Sequence, residues 1–163
     1  MELQMERVTN IIKNEEYKQC VKSIKMHEKK RKFCKHNKKH FFDVARIAYI
    51  LKLERNLNLD KEVIYAAALL HDIGKFLQYE SGIPHDLASA EIAAEILKQC
   101  KFKEEEISEI VTAIKEHRKK DDKNSLLGKI IYDSDKLSRN CFSCNAKEKC
   151  NWNDEKKNLE VKY

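Results

Sequence analysis

Apolar residues recur at intervals of three and four along most of the chain, which is the spacing of an α-helix. The segment 61–72 is apolar nearly all round, so its helix is expected at the centre of the fold. Residues 76–84 contain Gly82 and Pro84 and predict an irregular connection. The predicted helices cover residues 2–12, 15–32, 38–55, 61–72, 86–99, 104–117 and 126–139.

The ends of these segments carry residues that commonly start or stop a helix. The predicted N-caps are Asn14, Asp60 and Ser125. Gly74 is expected to end the central helix. Beyond the last helix, residues 140–152 predict a loop that bears cysteines, and residues 153–162 predict a polar tail that could form a short helix.

Composition supports an all-α fold in a single domain. The chain has 163 residues with 3 Gly and 1 Pro, whereas an average chain of this length has about 11 Gly and about 8 Pro. Because tight turns between strands depend on these residues, their scarcity argues against a sandwich or barrel. The longest apolar stretch, Val63–Leu70, is too short to span a bilayer, and residues 1–6 have no apolar signal core. We therefore expect a soluble cytoplasmic protein without membrane contact.

The net charge of +6 is concentrated in one segment. The stretch from Lys22 to Lys39 contains a single acid, Glu28, and carries +8, so the rest of the chain carries −2. Such a run is usually a solvated helix face, but it can also attract a polyanion. Composition alone leaves both interpretations open.

Six ionisable side chains share one property, which is a position on an apolar helical stripe or at the end of the buried helix. They are His40, His71, Asp72, His85, His117 and Asp135. A single inward His is more often a hydrogen-bonded core residue than a ligand, whereas a buried carboxylate needs a cation or several donors. The six together would most economically share a cation, and imidazole and carboxylate ligands suit a divalent transition metal.

Three motifs now resemble the HD superfamily of metal-dependent phosphohydrolases. They are the run from His40 to Ala48, the His71-Asp72 pair within residues 70–75, and Asp135 within residues 132–137. The resemblance covers about residues 36–139. It implies an all-α HD bundle at 36–139, an N-terminal helical extension at 1–35, and a Cys-rich loop and tail at 140–163.

The resemblance also implies a metal site. Its ligands would be His40, His71, Asp72 and Asp135. His85 and His117 match the two further histidines of subfamilies that bind two metals. The segment 85–135 is most similar to bacterial hydrolases that cleave dinucleoside tetraphosphates symmetrically.

These matches lead to a hypothesis about mechanism. One or two divalent ions (Fe, Mn, Co, Ni or Zn) would activate a water and bind phosphoryl oxygens, with Asp72 as a catalytic bridge between them. Lys75 could be a catalytic contact to the phosphate, and Arg118 could be a second clamp on the substrate. Both could instead be solvated surface residues. With one metal, His85 and His117 would be phosphate donors or a general acid.

The basic run ends at His40, so a polyanionic substrate would meet it on approach. We therefore expect a phosphohydrolase that cleaves a phosphoester or phosphoanhydride bond, with a nucleotide as the simplest small substrate. The alternative is a non-catalytic regulatory module that binds metal or nucleotide. No recognised nucleic-acid motif is present, so no specific nucleic-acid partner is expected. Oligomeric state is left open.

Three of the six cysteines cluster after the last predicted helix. Cys141, Cys144 and Cys150 could hold a metal with Cys34 or His36 as the fourth ligand. The expected group is a structural zinc, and an iron–sulfur cluster is its rival. Free thiols in a partly buried loop are the third possibility.

Overall fold

The structure is a computed structural model, and it describes residues 4–163. This part of the chain contains eight α-helices, two short 3₁₀ helices and no strand. The α-helices are α1 (Glu6–Lys13), α2 (Glu15–His27), α3 (Lys38–Glu54), α4 (Lys61–Leu70), α5 (Lys75–Ser81), α6 (His85–Gln99), α7 (Glu104–Glu116) and α8 (Leu126–Leu137). The all-α fold predicted from the sequence is confirmed.

Helix α4 lies at the centre of the bundle. It packs against α3, α7 and α8, and it also contacts α1 and α6. Its interior-facing run of three alanines, Ala66 to Ala68, is fully buried, and such small side chains let neighbouring backbones approach closely. Helices α1 and α2 contribute to the same hydrophobic core, so the N-terminal extension packs onto the bundle.

The predicted N-caps are present at three helices. The side chain of Asn14 accepts a hydrogen bond from the backbone N–H of Tyr17, and Ser125 accepts one from Gly128. Asp60 accepts from the first turn of α4. These bonds satisfy backbone donors that have no partner inside the helix.

Two predictions about element bounds were wrong, and the possible helix in the tail is absent. Helix α2 ends at His27 rather than at residue 32, and its C-cap residue Glu28 is buried and accepts a hydrogen bond from the backbone N–H of His36. Residues 75–81 form α5 where a loop was expected, and Gly82 ends that helix with a φ of 70°. The tail 153–162 forms turns and no helix. The start of the predicted helix 2–12 lies partly outside the described residues.

No helix within residues 4–163 is both long enough and apolar enough to cross a membrane.

Gly74 sits where α5 begins against α6. Its backbone N–H donates to Ser89 Oγ at 2.9 Å, and an added Cβ would lie 2.5 Å from the backbone nitrogen of Ser89 and 2.7 Å from the carbonyl carbon of Ala88. The contact is backbone against backbone, so neither side can yield by changing a rotamer. A side chain at position 74 would push α5 and α6 apart.

We predict that Gly74→Ala lowers the free energy of unfolding by about 1–3 kcal/mol through this overlap, as measured by urea denaturation. Gly82→Asn is the matched control, because position 82 has open space around it and Asn tolerates its left-handed backbone. That variant should stay within about 0.5 kcal/mol of the wild type. A Gly74→Ala protein as stable as the control would contradict the packing described for this position.

Candidate metal centre

The site is built around Asp72, which lies two residues after the end of α4. Asp72 and its neighbour His71 are both buried. The Nδ1 of His71 donates to the carbonyl oxygen of Ala68 at 2.7 Å. A carbonyl can only accept, so Nδ1 carries a proton and Nε2 is the nitrogen that faces the site. The ring of His117 is fixed in the same way by the carbonyl of Ile114, at 2.6 Å.

A first cluster surrounds the Oδ2 atom of Asp72. His40 from α3, His71, Asp72 and Asp135 from α8 each offer one ligand atom, and these atoms lie within 4.8 Å of one another. The Nε2 of His71 is 3.1 Å from Asp72 Oδ2, and the Nε2 of His40 is 3.1 Å from Asp135 Oδ1. Three separate helices therefore converge on one point.

A second cluster surrounds the other oxygen of the same carboxylate. The Nε2 atoms of His85 and His117 lie 3.2 Å and 3.4 Å from Asp72 Oδ1. His85 is the first residue of α6, and His117 directly follows α7. The structure thus brings together all six side chains that the sequence singled out, and it divides them into two groups that share Asp72.

Two of the buried site atoms have no hydrogen-bond partner within residues 4–163. They are the Nε2 of His71 and the Oδ1 of Asp135, which lie 3.6 Å apart. Leaving such atoms unpaired is costly unless something else satisfies them. A cation that displaced the proton on this nitrogen would satisfy both atoms, and this donor set suits a divalent transition metal.

The charges at the site also suit a cation. Burial disfavours the charged carboxylates, yet the His71 and His36 rings hold the pKa of Asp72 well below its usual range. The His40 and His71 rings do the same for the pKa of Asp135. Both carboxylates are therefore ionised at neutral pH.

The histidines divide into two kinds. Burial lowers the pKa of His40 to about 4, and burial together with nearby cations lowers that of His85 to about 3. Burial would also lower the pKa of His71, but the carboxylates of Asp72 and Asp135 outweigh it and raise the value to about 10. His40 and His85 are therefore neutral and can bind a metal directly. His71 would have to lose a proton before its Nε2 could bind a metal.

Lys75 and Arg118, which the sequence suggested as phosphate contacts, both line the cavity that leads to the clusters. The Nζ of Lys75 lies 3.3 Å from the Nδ1 of His85, on the side of the second cluster, and burial lowers its pKa. Arg118 is 45% exposed and donates to Asp86 at 3.1 Å. Lys75 thus lies beside the ligands, and Arg118 lies at the rim.

Sequence reasoning missed a buried network that reaches the site from the N-terminal extension. Glu28 is 2% exposed and accepts hydrogen bonds from the backbone N–H of His36, from the ring of His36 and from the Tyr79 hydroxyl. The Nε2 of His36 then faces Asp72 Oδ2 at 3.8 Å. Glu28 is the only acid between Lys22 and Lys39. An isolated acid in a basic segment was the one sequence feature that could have pointed to this network.

The cavity has a volume of about 820 Å³, and its mouth is strongly basic. The clusters form its floor. Its cationic lining residues are Arg31, Lys32, Lys39, Lys75, Arg118, Lys136, Arg139, Lys147, Lys149 and Lys157. Part of the basic run, Arg31, Lys32 and Lys39, therefore borders the cavity while remaining exposed to solvent, which favours an anionic ligand.

The cysteines suggested as a second metal site also meet at this cavity. Cys34, Cys141, Cys144 and Cys150 all line it. None of them belongs to a group of three or more ligand atoms within 4.8 Å, as far as residues 4–163 show. His36, the alternative fourth ligand, turns toward Asp72 instead. A metal at the thiols stays a prediction.

Comparison with known proteins agrees with this site. The family described as HD domain matches residues 38–140. A protein of Clostridium beijerinckii described as uncharacterized is 50% identical over 159 residues, which make up 98% of this chain and 100% of that protein. Ribonuclease Y of Mycoplasma mycoides is 31% identical over 99 residues, 61% of this chain but 21% of that enzyme.

Among solved structures, a predicted HD superfamily hydrolase from an uncultured Thermotogales bacterium has a similar fold. The TM-score is 0.61 and the identity 28%, over 76% of this chain and 66% of that one. The family match spans more than half of the sequence, so the chain belongs to the HD domain family. It has a hydrolase-like fold with a buried His/Asp cluster that could bind metal.

The Glu28 network yields a prediction about stability. Glu28→Gln removes the charge that holds His36 and Tyr79, and it should lower the free energy of unfolding at pH 7 by about 1–3 kcal/mol. Glu80→Gln is the control, because Glu80 makes an exposed contact to His27 and should change stability by less than about 0.5 kcal/mol.

The effect of Glu28→Gln should depend on pH. Burial would raise the pKa of Glu28, but its bonds to His36 and Tyr79 lower it from 4.5 to about 2. Ionised Glu28 therefore contributes stability that is complete above its unfolded-state pKa and is lost as pH falls toward its folded-state pKa. Urea denaturation from pH 7 to pH 3.5 should show the gap between wild type and variant shrinking below about pH 4.5. A constant gap would contradict this role of the charge.

Proposed function

We propose that the protein is a metal-dependent phosphohydrolase that cleaves a phosphoester or phosphoanhydride bond, with a nucleotide as substrate. The observation that carries the proposal is the position of Asp72, whose two oxygens face two separate histidine clusters. A carboxylate shared in this way could supply one oxygen to a metal in each cluster. The basic lining of the cavity supports a phosphorylated substrate.

The side chains of the site have separate tasks in this proposal. His40, His71, Asp72 and Asp135 would hold one ion, and His85 and His117 would hold a second together with Asp72. When bound, the ions would lower the pKa of a coordinated water and neutralise charge on the phosphoryl oxygens.

The remaining groups act on the substrate. Lys75, whose Nζ lies beside His85, would contact a phosphoryl oxygen as a point charge. Arg118, at the rim, would bind a more distant part of the anion. The Glu28–His36 pair would fix an imidazole nitrogen next to Asp72, where it can hydrogen-bond the substrate or the attacking water.

Small nucleotides and RNA are the two substrate classes to be compared for turnover. The resemblance of the segment 85–135 favours dinucleoside tetraphosphates, and a cavity of about 820 Å³ has room for a nucleotide. The relative named ribonuclease Y makes an RNA oligonucleotide the natural second arm of a substrate panel. Turnover of small nucleotides without RNA cleavage is the result expected here.

The rival proposal is a regulatory module that binds metal or nucleotide without turnover. Two complete clusters favour catalysis, because a binding scaffold would not need both. Protein purified without oxygen, analysed for metal and supplied with Mn, Fe or Co separates the two proposals. Binding without turnover across the panel would support the module.

The first functional prediction concerns Asp72→Ala. The change removes the atom pair that both clusters share, so bound divalent metal should be lost and hydrolysis should fall by more than about 100-fold. Asp133→Ala is the matched control, because Asp133 lies on the same helix as Asp135 but pairs with Arg55 away from the site. If Asp72→Ala kept full metal content and full activity, the proposed site would be wrong.

The second functional prediction concerns the number of ions. We expect the His85→Ala and His117→Ala double variant to bind one equivalent of divalent metal less than the wild type, measured by elemental analysis. Any metal bound at the cysteines would not affect this difference in metal content, because the cysteines are the same in both proteins. An unchanged metal content would contradict the two-metal site. It would support the one-metal alternative, in which His85 and His117 act on the phosphate. Zinc or iron lost from a Cys141→Ser protein would report separately on the thiol site.

A further inference from the structure

Arg139 lies one helical turn after Asp135, just beyond the end of α8. Its side chain is only 10% exposed, although it borders the cavity. The Nη2 atom is 3.2 Å from the Nε2 of His40, and Nη1 donates to the carbonyl oxygen of Lys35 at 3.3 Å.

The guanidinium of Arg139 is poorly satisfied where it lies. An arginine has five N–H donors, and the Nε of Arg139 is buried without a hydrogen-bond partner within residues 4–163. Its nearest carboxylate oxygen, Oδ1 of Asp135, is 3.7 Å away, beyond hydrogen-bond distance. A buried charge in this condition needs an anion.

A metal in the first cluster would leave Arg139 with still fewer acceptors. The lone pair on His40 Nε2 and the oxygen of Asp135 would both point to the ion. The carbonyl of Lys35 would then be the one remaining acceptor among the contacts described above. The group that must satisfy the guanidinium therefore has to come from the cavity.

The location of Arg139 complements that of Lys75. Lys75 lies beside His85 of the second cluster, and Arg139 lies beside His40 and Asp135 of the first cluster. The Asp72 carboxylate is shared by the two clusters. A tetrahedral anion placed over both clusters would have a cation on each side.

We propose that Arg139 binds the phosphoryl group of the substrate, with its guanidinium contacting two oxygens on the side of the first cluster. The inference rests on the proposed function in one respect, which is that the anion is a phosphate. Arginine suits this task because its planar fork matches two oxygens at once, which the ammonium of a lysine cannot do.

The experiment measures binding of inorganic phosphate to the metal-loaded protein by isothermal titration calorimetry. Arg139→Met keeps the apolar stem and removes the charge, and phosphate affinity should fall about 10- to 100-fold with metal content unchanged. Arg139→Lys keeps the positive charge but loses the planar guanidinium. Its phosphate affinity should therefore lie between those of the wild type and Arg139→Met. Arg55→Met is the control, because Arg55 pairs with Asp133 outside the cavity, and it should bind phosphate as the wild type does.

Several outcomes would overturn the inference. One is wild-type protein that binds no phosphate, and another is Arg139→Met protein that binds it as tightly as the wild type. Loss of metal from both Arg139 variants would show that the side chain supports His40 rather than the substrate. If Arg139→Met does not fold, Arg139→Lys decides, and equal affinity in that variant refutes the two-oxygen contact.

Failure of the inference and failure of the proposed function can be told apart. Phosphate binding that depends on Arg139, without turnover of any phosphorylated substrate, would uphold the inference and refute hydrolysis. Turnover that is lost in Asp72→Ala but unchanged in Arg139→Met would support hydrolysis at this site and refute the role of Arg139.

Discussion

The buried carboxylate of Asp72 is the constraint on which the rest of the structure depends. It lies two residues after the end of the buried central helix, α4, where an ionised group is tolerated only if donors or cations are brought to it. The bundle brings them at helix ends and on helix faces. The imidazoles within 4 Å of its two oxygens belong to His36, His40, His71, His85 and His117.

Charge has opposite signs at the floor and at the mouth of the cavity. Asp72 and Asp135 remain ionised, while burial keeps His40 and His85 neutral, so the floor attracts a cation. The walls carry lysines and arginines and attract an anion. This separation suits the proposed binding of a metal ion and a phosphate in one cavity, because each region attracts only one of the two ligands.

Groups at the edges of the HD domain complete this site. The family match begins at residue 38, yet His36, which is hydrogen-bonded to Glu28, faces Asp72 from the segment before it. Arg139 lies at the other end of the match and sits between the first cluster and the cysteine-bearing loop. The central bundle supplies the proposed metal ligands, whereas its flanks supply further polar groups that border them.

The sequence by itself determined the helices, their caps and the six inward-facing ionisable side chains. These features depend on spacing within one segment, and helical periodicity shows which side of a segment is buried. Local signals failed at α5, whose seven residues carry no long apolar stripe, and at the end of α2. Only the tertiary structure decided how the six residues divide around the two oxygens of Asp72, and that Glu28, His36 and Arg139 join them. Those contacts link residues far apart in the chain, and they exist only because helix packing fixes side-chain positions to within an ångström or so.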